Sequence, residues 1–157
     1  MNGLVIREMR KIETEKVLAE IVKEVYPELI VKDLKNWLTG EKPFVQWFVA
    51  EFEKKIVGAC SLGAYDVQKK EVILDLYVIV VLPQWRRKGV GEKLLEISLE
   101  KTRKHWLKQG FKTRALLIET SEAMIFYEKV LTSFKKVRFE GVWGDGKEVV
   151  FYFVPFQ

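Results

Sequence analysis

Three apolar runs rich in Val, Ile and aromatic residues follow one another between Phe44 and Leu82, and a helical stripe opens at Gly89. Phe44 to Phe52, Ile56 to Tyr65 and Val72 to Leu82 each have the length and composition of a strand. The polar stretch Glu53-Lys54-Lys55 joins the first pair and Asp66 to Glu71 the second, so the spacing predicts a meander of three strands. Pro83 ends the last of them. From Gly89 to about Lys108 the period changes: Val90, Leu94 and Ile97 share one stripe, with Leu95, Leu99 and Trp106 beside it. Gly110 stands where a helix terminates. A meander that feeds a long amphipathic helix restricts the chain to mixed α/β architectures.

The flanks complete that pattern. Leu4 to Met9 reads as a short strand, and Ile12, Val17, Leu18, Ile21, Val22 and Val25 follow helical spacing up to Tyr26. Pro27 breaks this helix, and Glu28 to Leu38 reads as a second one ending before Gly40. After the central helix, Thr113 to Glu119 reads as a strand and Glu122 to Leu131 as a helix. Phe134 to Val142 and Glu148 to Val154 form a closing hairpin that turns through Gly144-Asp145-Gly146. The predicted order is β-α-α-β-β-β-α-β-α-β-β. No repeat, low-complexity tract or Pro/Ser-rich linker interrupts it, so residues 1–157 are read as a single domain.

Composition narrows the classes of function. Cys60 is the only cysteine and His105 the only histidine, which excludes an internal disulfide framework and a thiolate zinc site. No metal is expected. No run approaches eighteen consecutive apolar residues and the N-terminus lacks the pattern of a signal peptide, so a cytoplasmic protein without a membrane span is expected. The net charge of +5, from 27 basic and 22 acidic residues, suits an anionic partner without identifying one.

The turn before the central helix points to an anion. In Val80-Val81-Leu82-Pro83-Gln84-Trp85-Arg86-Arg87-Lys88-Gly89-Val90-Gly91, a strand ends at a proline, a basic turn follows, and two glycines open the helix. The first turn of a helix carries free N–H groups and partial positive charge. Glycine lets that backbone approach a ligand closely, and a pyrophosphate is the partner such a turn favours. A flexible turn beside a solvated charge run is the plainer alternative. Two other phosphate motifs fail: the dinucleotide fingerprint wants a small residue where Leu94 stands, and a P-loop wants Lys-Ser/Thr where Glu92 follows Gly91.

The stretch Asp75 to Leu95 resembles the acetyl-CoA-binding motif of the GNAT family of N-acetyltransferases. That family carries Val-x-Pro followed by Arg/Gln-x-x-Gly-x-Gly/Ala at the start of a long helix. Val81-Leu82-Pro83 and Arg86-Arg87-Lys88-Gly89-Val90-Gly91 match both parts and the spacing between them. A second stretch agrees: Glu119-Thr120-Ser121, then Ala123 to Lys129 with Phe126-Tyr127. Two departures stand out. The usual Gly-Phe after the tyrosine is replaced by Val130-Leu131-Thr132-Ser133-Phe134, and Thr120 stands where an asparagine is common.

The resemblance implies an acetyl-CoA-dependent N-acetyltransferase acting on a small amine, a peptide N-terminus or a protein lysine. Arg86, Arg87, Lys88, Gly89, Val90, Gly91 and Glu92 would surround the pyrophosphate, while Ile79, Val80 and Val81 would present a strand edge to the pantetheine and thioester. In the family a bulge splays this strand from its neighbour and the cofactor fills the gap. Tyr127 matches the position of the acid that protonates the departing thiolate. Asp75 matches the position of the base in histone-type members, Glu119 is the second candidate, and bulk water is the third. A packed tyrosine and ordinary strand-end charges are the structural alternatives. Trp37, Trp47 and Trp85 are read as packing residues, with an acceptor pocket as their other use. A homodimer is common in such folds. A non-catalytic coenzyme-A-binding module and a nucleic-acid binder using Lys93 to Lys108 are the competing classes, the latter without any groove-reading motif.

Overall fold

The computed structural model describes residues 1–25, 45–119, 124–140 and 148–154. The expected helix Glu28 to Leu38, Trp37, Thr120 and the Gly144-Asp145-Gly146 turn lie outside the described residues. Within them, seven strands form one mixed sheet: β1 (Leu4–Glu8), β2 (Val45–Phe52), β3 (Lys55–Gln68), β4 (Glu71–Val81), β5 (Lys112–Glu119), β6 (Lys135–Glu140) and β7 (Glu148–Phe153). Their spatial order is β1-β2-β3-β4-β5-β7-β6. Among the described residues only β4 and β5 run parallel, joined by the crossover helix α2 (Val90–Lys108). A helix over 11–25, α1, follows β1, and the short α3 (Met124–Val130) follows β5.

The helices sandwich the sheet because its strands are apolar on both sides. On one face, Val17, Leu18, Ile21 and Val22 of α1 pack on Val49, Ala59, Val78 and Val80. The turns of α1 carrying those residues are π-helical over Val17–Val22. On the other face, Val90, Leu94, Leu95, Leu99 and Trp106 of α2 pack with Tyr127 and Leu131 on Phe48, Cys60, Leu74 and Leu116. Ile97, assigned to the central stripe by spacing, is a flanking residue. Ser98 and Thr102 are buried in its place. Burial pushes the Cys60 thiol up to about 12, so it behaves as a small core hydrophobe.

An ionic clamp ties the start of α1 to the sheet. Glu13, 8% exposed, accepts two bonds from Arg7, at 2.7 and 2.9 Å, and one from Arg10 Nη2 at 2.6 Å. Its second oxygen also accepts the Arg10 main-chain N–H at 2.8 Å. Arg7 reaches Glu51 on β2 in turn. The side-chain bond from Arg7, then that from Arg10, holds the Glu13 carboxyl well below the usual carboxylate range.

Both meander turns are tighter than their polar stretches imply. Glu53-Lys54 and Lys69-Lys70 make the turns alone, with φ of 47° and 66° in the first and 46° and 65° in the second. Two successive left-handed residues match the twist of paired strands, a geometry ordinarily marked by Asn-Gly. Here Glu and Lys adopt it without that signal, and β3 therefore extends to Gln68.

Candidate functional site

The site begins with a defect in β4. Ser61 pairs with Val78 and Leu62 with Leu76, leaving Tyr77 without a register partner on β3. One extra residue flips the alternation: Val72, Leu74 and Leu76 face α2, whereas Val78 and Val80 face α1. The bulge also bends β4 away from β5. Their parallel pairing runs from Glu71 with Lys112 to Asp75 with Leu117 and stops, although β4 continues to Val81 and β5 to Glu119. Beyond that apex the two strands form an open fork.

The fork presents main-chain groups. Leu82 N–H donates to Val57 on β3 at 2.9 Å. Alternation then turns the amide of Val80 toward β3 and those of Ile79 and Val81 toward the fork. Val80 has its side chain in the α1-side core, 2% exposed. The Val81 carbonyl accepts Arg86 Nε at 3.0 Å, which folds that side chain over the strand end.

The fork opens at the head of α2. Pro83–Trp85 form a single 3-10 turn, and the Trp85 ring packs on Phe52 at a tilt, with centroids 4.8 Å apart. Lys88 Nζ lies 5.3 Å from the Trp85 ring, a cation–π contact that orders the basic turn. Arg87 at φ 58° and Gly89 at φ 77° are both left-handed, so the chain reverses sharply into the helix. The first intrahelical bond runs from Lys93 to the Gly89 carbonyl at 3.1 Å. The N–H groups of Val90, Gly91 and Glu92 lie ahead of it, and the capping residue is a glycine that contributes no side-chain acceptor. A Cβ on Gly89 would meet nothing within 4 Å, so the concavity is open on that side. A Cβ on Gly91 would sit 3.4 Å from the Phe126 ring and 3.6 Å from Val81 Cγ2, where the helix meets α3 and β4. Glu92 directs its carboxylate to Lys129 of α3, 3.2 Å away. The cradle is thus backbone amides ringed by Arg86, Arg87 and Lys88, which are exposed. That fits an elongated anion with an extended tail: phosphates at the helix head, tail along the fork.

The titratable candidates lie on opposite sides of this fork. Asp75, 9% exposed, stands at the apex on the α1 side, opposite Leu117. Glu119 ends β5 two residues beyond Leu117, is exposed, and alternates to the same side. Tyr127, 7% exposed, belongs to the α2-side core, with its ring 5.3 Å from that of Phe126. The sequence motifs did not single out Tyr77. Burial, and then the neighbouring Asp75 carboxylate, push its hydroxyl up to about 12. The apolar run around it hid the bulge, because every neighbour is buried whichever way it points.

Trp47 is packed in the α1-side core and Trp85 at the rim of the cradle, as packing residues would be. His105 approaches Gln109 on the exposed side of α2. Among the described residues no cluster of His, Cys, Asp or Glu could hold a metal ion, and no helix is long and apolar enough to cross a membrane.

Residues 43–130, more than half of the chain, match the family of acetyltransferase (GNAT) domains. An uncharacterized N-acetyltransferase of Archaeoglobus fulgidus is 32% identical over 75 residues, which are 44% of this chain and 50% of that protein. The chain therefore spans about half the length of that relative. The ribosomal-protein-alanine N-acetyltransferase of Brucella melitensis shares the fold with a TM-score of 0.65 at 19% identity, over 97% of this chain and 99% of the other. NAA60 of Arabidopsis thaliana, solved in complex with acetyl-CoA, gives 0.66 at 13% identity, over 96% and 98%.

Proposed function

Because this chain belongs to the acetyltransferase (GNAT) domain family, we propose that it moves an acetyl group from acetyl-CoA directly to a primary amine. The observation that carries this reading is the fork between β4 and β5, opening onto the uncapped first turn of α2. The pyrophosphate belongs on the N–H groups of Val90, Gly91 and Glu92, where the helix dipole and the Arg86, Arg87 and Lys88 side chains favour it. The pantetheine belongs along Ile79 and Val81, with Val80 holding that edge in place from the β3 side. Acetyl-CoA supplies an activated acyl group as a thioester.

The protein's own groups then have separable tasks. A main-chain N–H of Ile79 or Val81 polarises the thioester carbonyl, a donor that needs no reorganisation as charge develops. A lysine-like amine is mainly protonated at pH 7, at a cost of roughly 4–5 kcal/mol to neutralise. Asp75 is the first candidate to take that proton, Glu119 the second, and each can act through water. Tyr127, across the fork, gives a proton to the departing sulfur. Placement of base and acid on opposite faces of the fork supports this division, since the amine enters from one side and the thiol leaves toward the other.

Thiol release from acetyl-CoA, measured over small amines, peptides and basic proteins, tests the reading. Amine-dependent release with an acetylated product is expected. Binding of acetyl-CoA without release for any amine would refute turnover.

A further inference from the structure

The head of α2 carries a side chain that competes for the helix's own amides. With Gly89 as the capping residue, Val90, Gly91 and Glu92 are the first three helical positions, and Glu92 is the acidic residue of that turn. A helical Cα–Cβ bond tilts toward the N-terminus, so a long side chain on the first turn lies back over the free N–H groups. Glu at the third position is the residue that ordinarily reaches back to the N–H of the capping residue. A carboxylate there is also stabilised by the helix dipole. The amides that would hold a diphosphate are therefore those the Glu92 carboxylate is placed to occupy, and its charge would repel such a ligand.

In the structure that carboxylate is turned away. Glu92 Oε2 accepts a hydrogen bond from Lys129 Nζ at 3.2 Å. The short helix α3 aims Lys129 at this point. Lys129 follows Phe126 by three residues, so the two share one side of α3. The Phe126 ring lies 3.4 Å from where a Cβ on Gly91 would stand. Phe126 and Lys129 thus meet Gly91 and Glu92, neighbours at the head of α2. The other charge of α3, Glu128, is engaged with Lys136 of β6. Two cations of the basic turn are engaged as well, Arg86 with the Val81 carbonyl and Lys88 with the Trp85 ring. Lys129 is 71% exposed, and so open an ion pair adds little to stability. Its consequence lies in where it puts the carboxylate.

We propose that Lys129 is a positioning residue for acetyl-CoA: by drawing the Glu92 carboxylate onto α3 it keeps the head of α2 open for the diphosphate. The proposal rests on the placement of the diphosphate at that helix head. Lys129 acts through Glu92 rather than on the cofactor. Without it the carboxylate folds back over the free amides, and the ligand must displace it.

Calorimetric titration with acetyl-CoA at low salt tests this on Lys129→Met, Lys129→Arg, Glu92→Ala and the double variant Lys129→Met/Glu92→Ala. Lys129→Met should weaken binding by roughly three- to tenfold, the usual size of a carboxylate's interaction with a helix end, and Lys129→Arg should stay within about twofold of the parent. Glu92→Ala should bind at least as tightly as the parent, and adding Lys129→Met to it should change Kd by less than about twofold. In thiol release, Lys129→Met should raise the KM of acetyl-CoA and leave kcat unchanged; a merely loosened α3 would misplace Tyr127 and lower kcat. Unchanged affinity in Lys129→Met, an equal loss in the Glu92→Ala background, or a fall in kcat without a change in KM would overturn the assignment. If Gly89→Asp bound acetyl-CoA as tightly as Gly89→Asn, the diphosphate placement and this assignment would fall together. A difference between those two, with Lys129→Met behaving as the parent, would sink this assignment alone.

Discussion

Position 89 offers a clean test of the pyrophosphate cradle. Gly89 is left-handed, and a side chain there would meet no atom within 4 Å. Asn and Asp are the residues that best tolerate such a φ, at a cost of about 1 kcal/mol. Gly89→Asn and Gly89→Asp should therefore both fold, with melting temperatures within about 4 °C of the parent. They have nearly the same shape and differ by one negative charge. A carboxylate roughly 5 Å from a bound phosphate costs about 0.8 kcal/mol per unit charge in water and about 3 at an effective dielectric of 20. Gly89 is exposed, so the lower limit is nearer, and two charges on the diphosphate bring the total to about 2 kcal/mol. That corresponds to roughly thirtyfold in Kd. Calorimetric titration with acetyl-CoA at low salt should show Gly89→Asn within a few fold of the parent and Gly89→Asp about thirtyfold weaker than Gly89→Asn. The gap should narrow in 1 M salt, where the screening length falls to about 3 Å. Equal affinity of the two variants at low salt would refute the placement of the diphosphate at the head of α2.

Three further outcomes follow from the same geometry. Tyr127→Phe should lower kcat by roughly 10²-fold or more, the usual worth of a positioned acid, with acetyl-CoA affinity unchanged by titration; unaltered turnover would remove the acid assignment. Glu13→Gln should cost about 1–3 kcal/mol in urea unfolding at pH 7, by breaking a buried charge-assisted set. Because the folded Glu13 carboxyl lies below its unfolded value, its contribution is present above about pH 4.5 and is lost as pH falls toward the folded value. The variant should accordingly lose less stability than the parent between pH 5 and about 2. Gly58→Ala would bring a Cβ to 2.8 Å from the Val80 carbonyl oxygen, a main-chain atom with little freedom to move. A loss of about 1–3 kcal/mol in urea is expected, and a neutral result would show that β3 and β4 can separate there.

Much of the molecule is local and was therefore legible. The order of elements follows from periodicity, since a strand alternates and a helix repeats whatever packs on it. Gly89 and Gly91 were legible as the turn that opens α2, and the left-handed φ at Gly89 is a local reason for glycine there. The meander turns were placed by their polar stretches, but their two-residue form was not, because Glu53-Lys54 and Lys69-Lys70 adopt left-handed geometry under the pull of strand twist without the usual Asn-Gly signal.

What chain order alone settled is the succession of strands and helices and the glycine-bearing basic turn between β4 and α2, both consequences of neighbouring residues. What the tertiary structure decided is the fork and its sidedness. Val72 to Val81 is apolar at nearly every position because both faces are buried, so no alternation marks Tyr77 as the extra residue. Only pairing with β3 on one side and β5 on the other reveals where β4 bends, which amides face the gap, and that Asp75 lies on the α1 side. The meeting of Lys129 with Glu92 likewise depends on β5 bringing α3 to the head of α2. Such contacts join distant segments, and their geometry is set by the sum of all strand pairings rather than by any short stretch of chain.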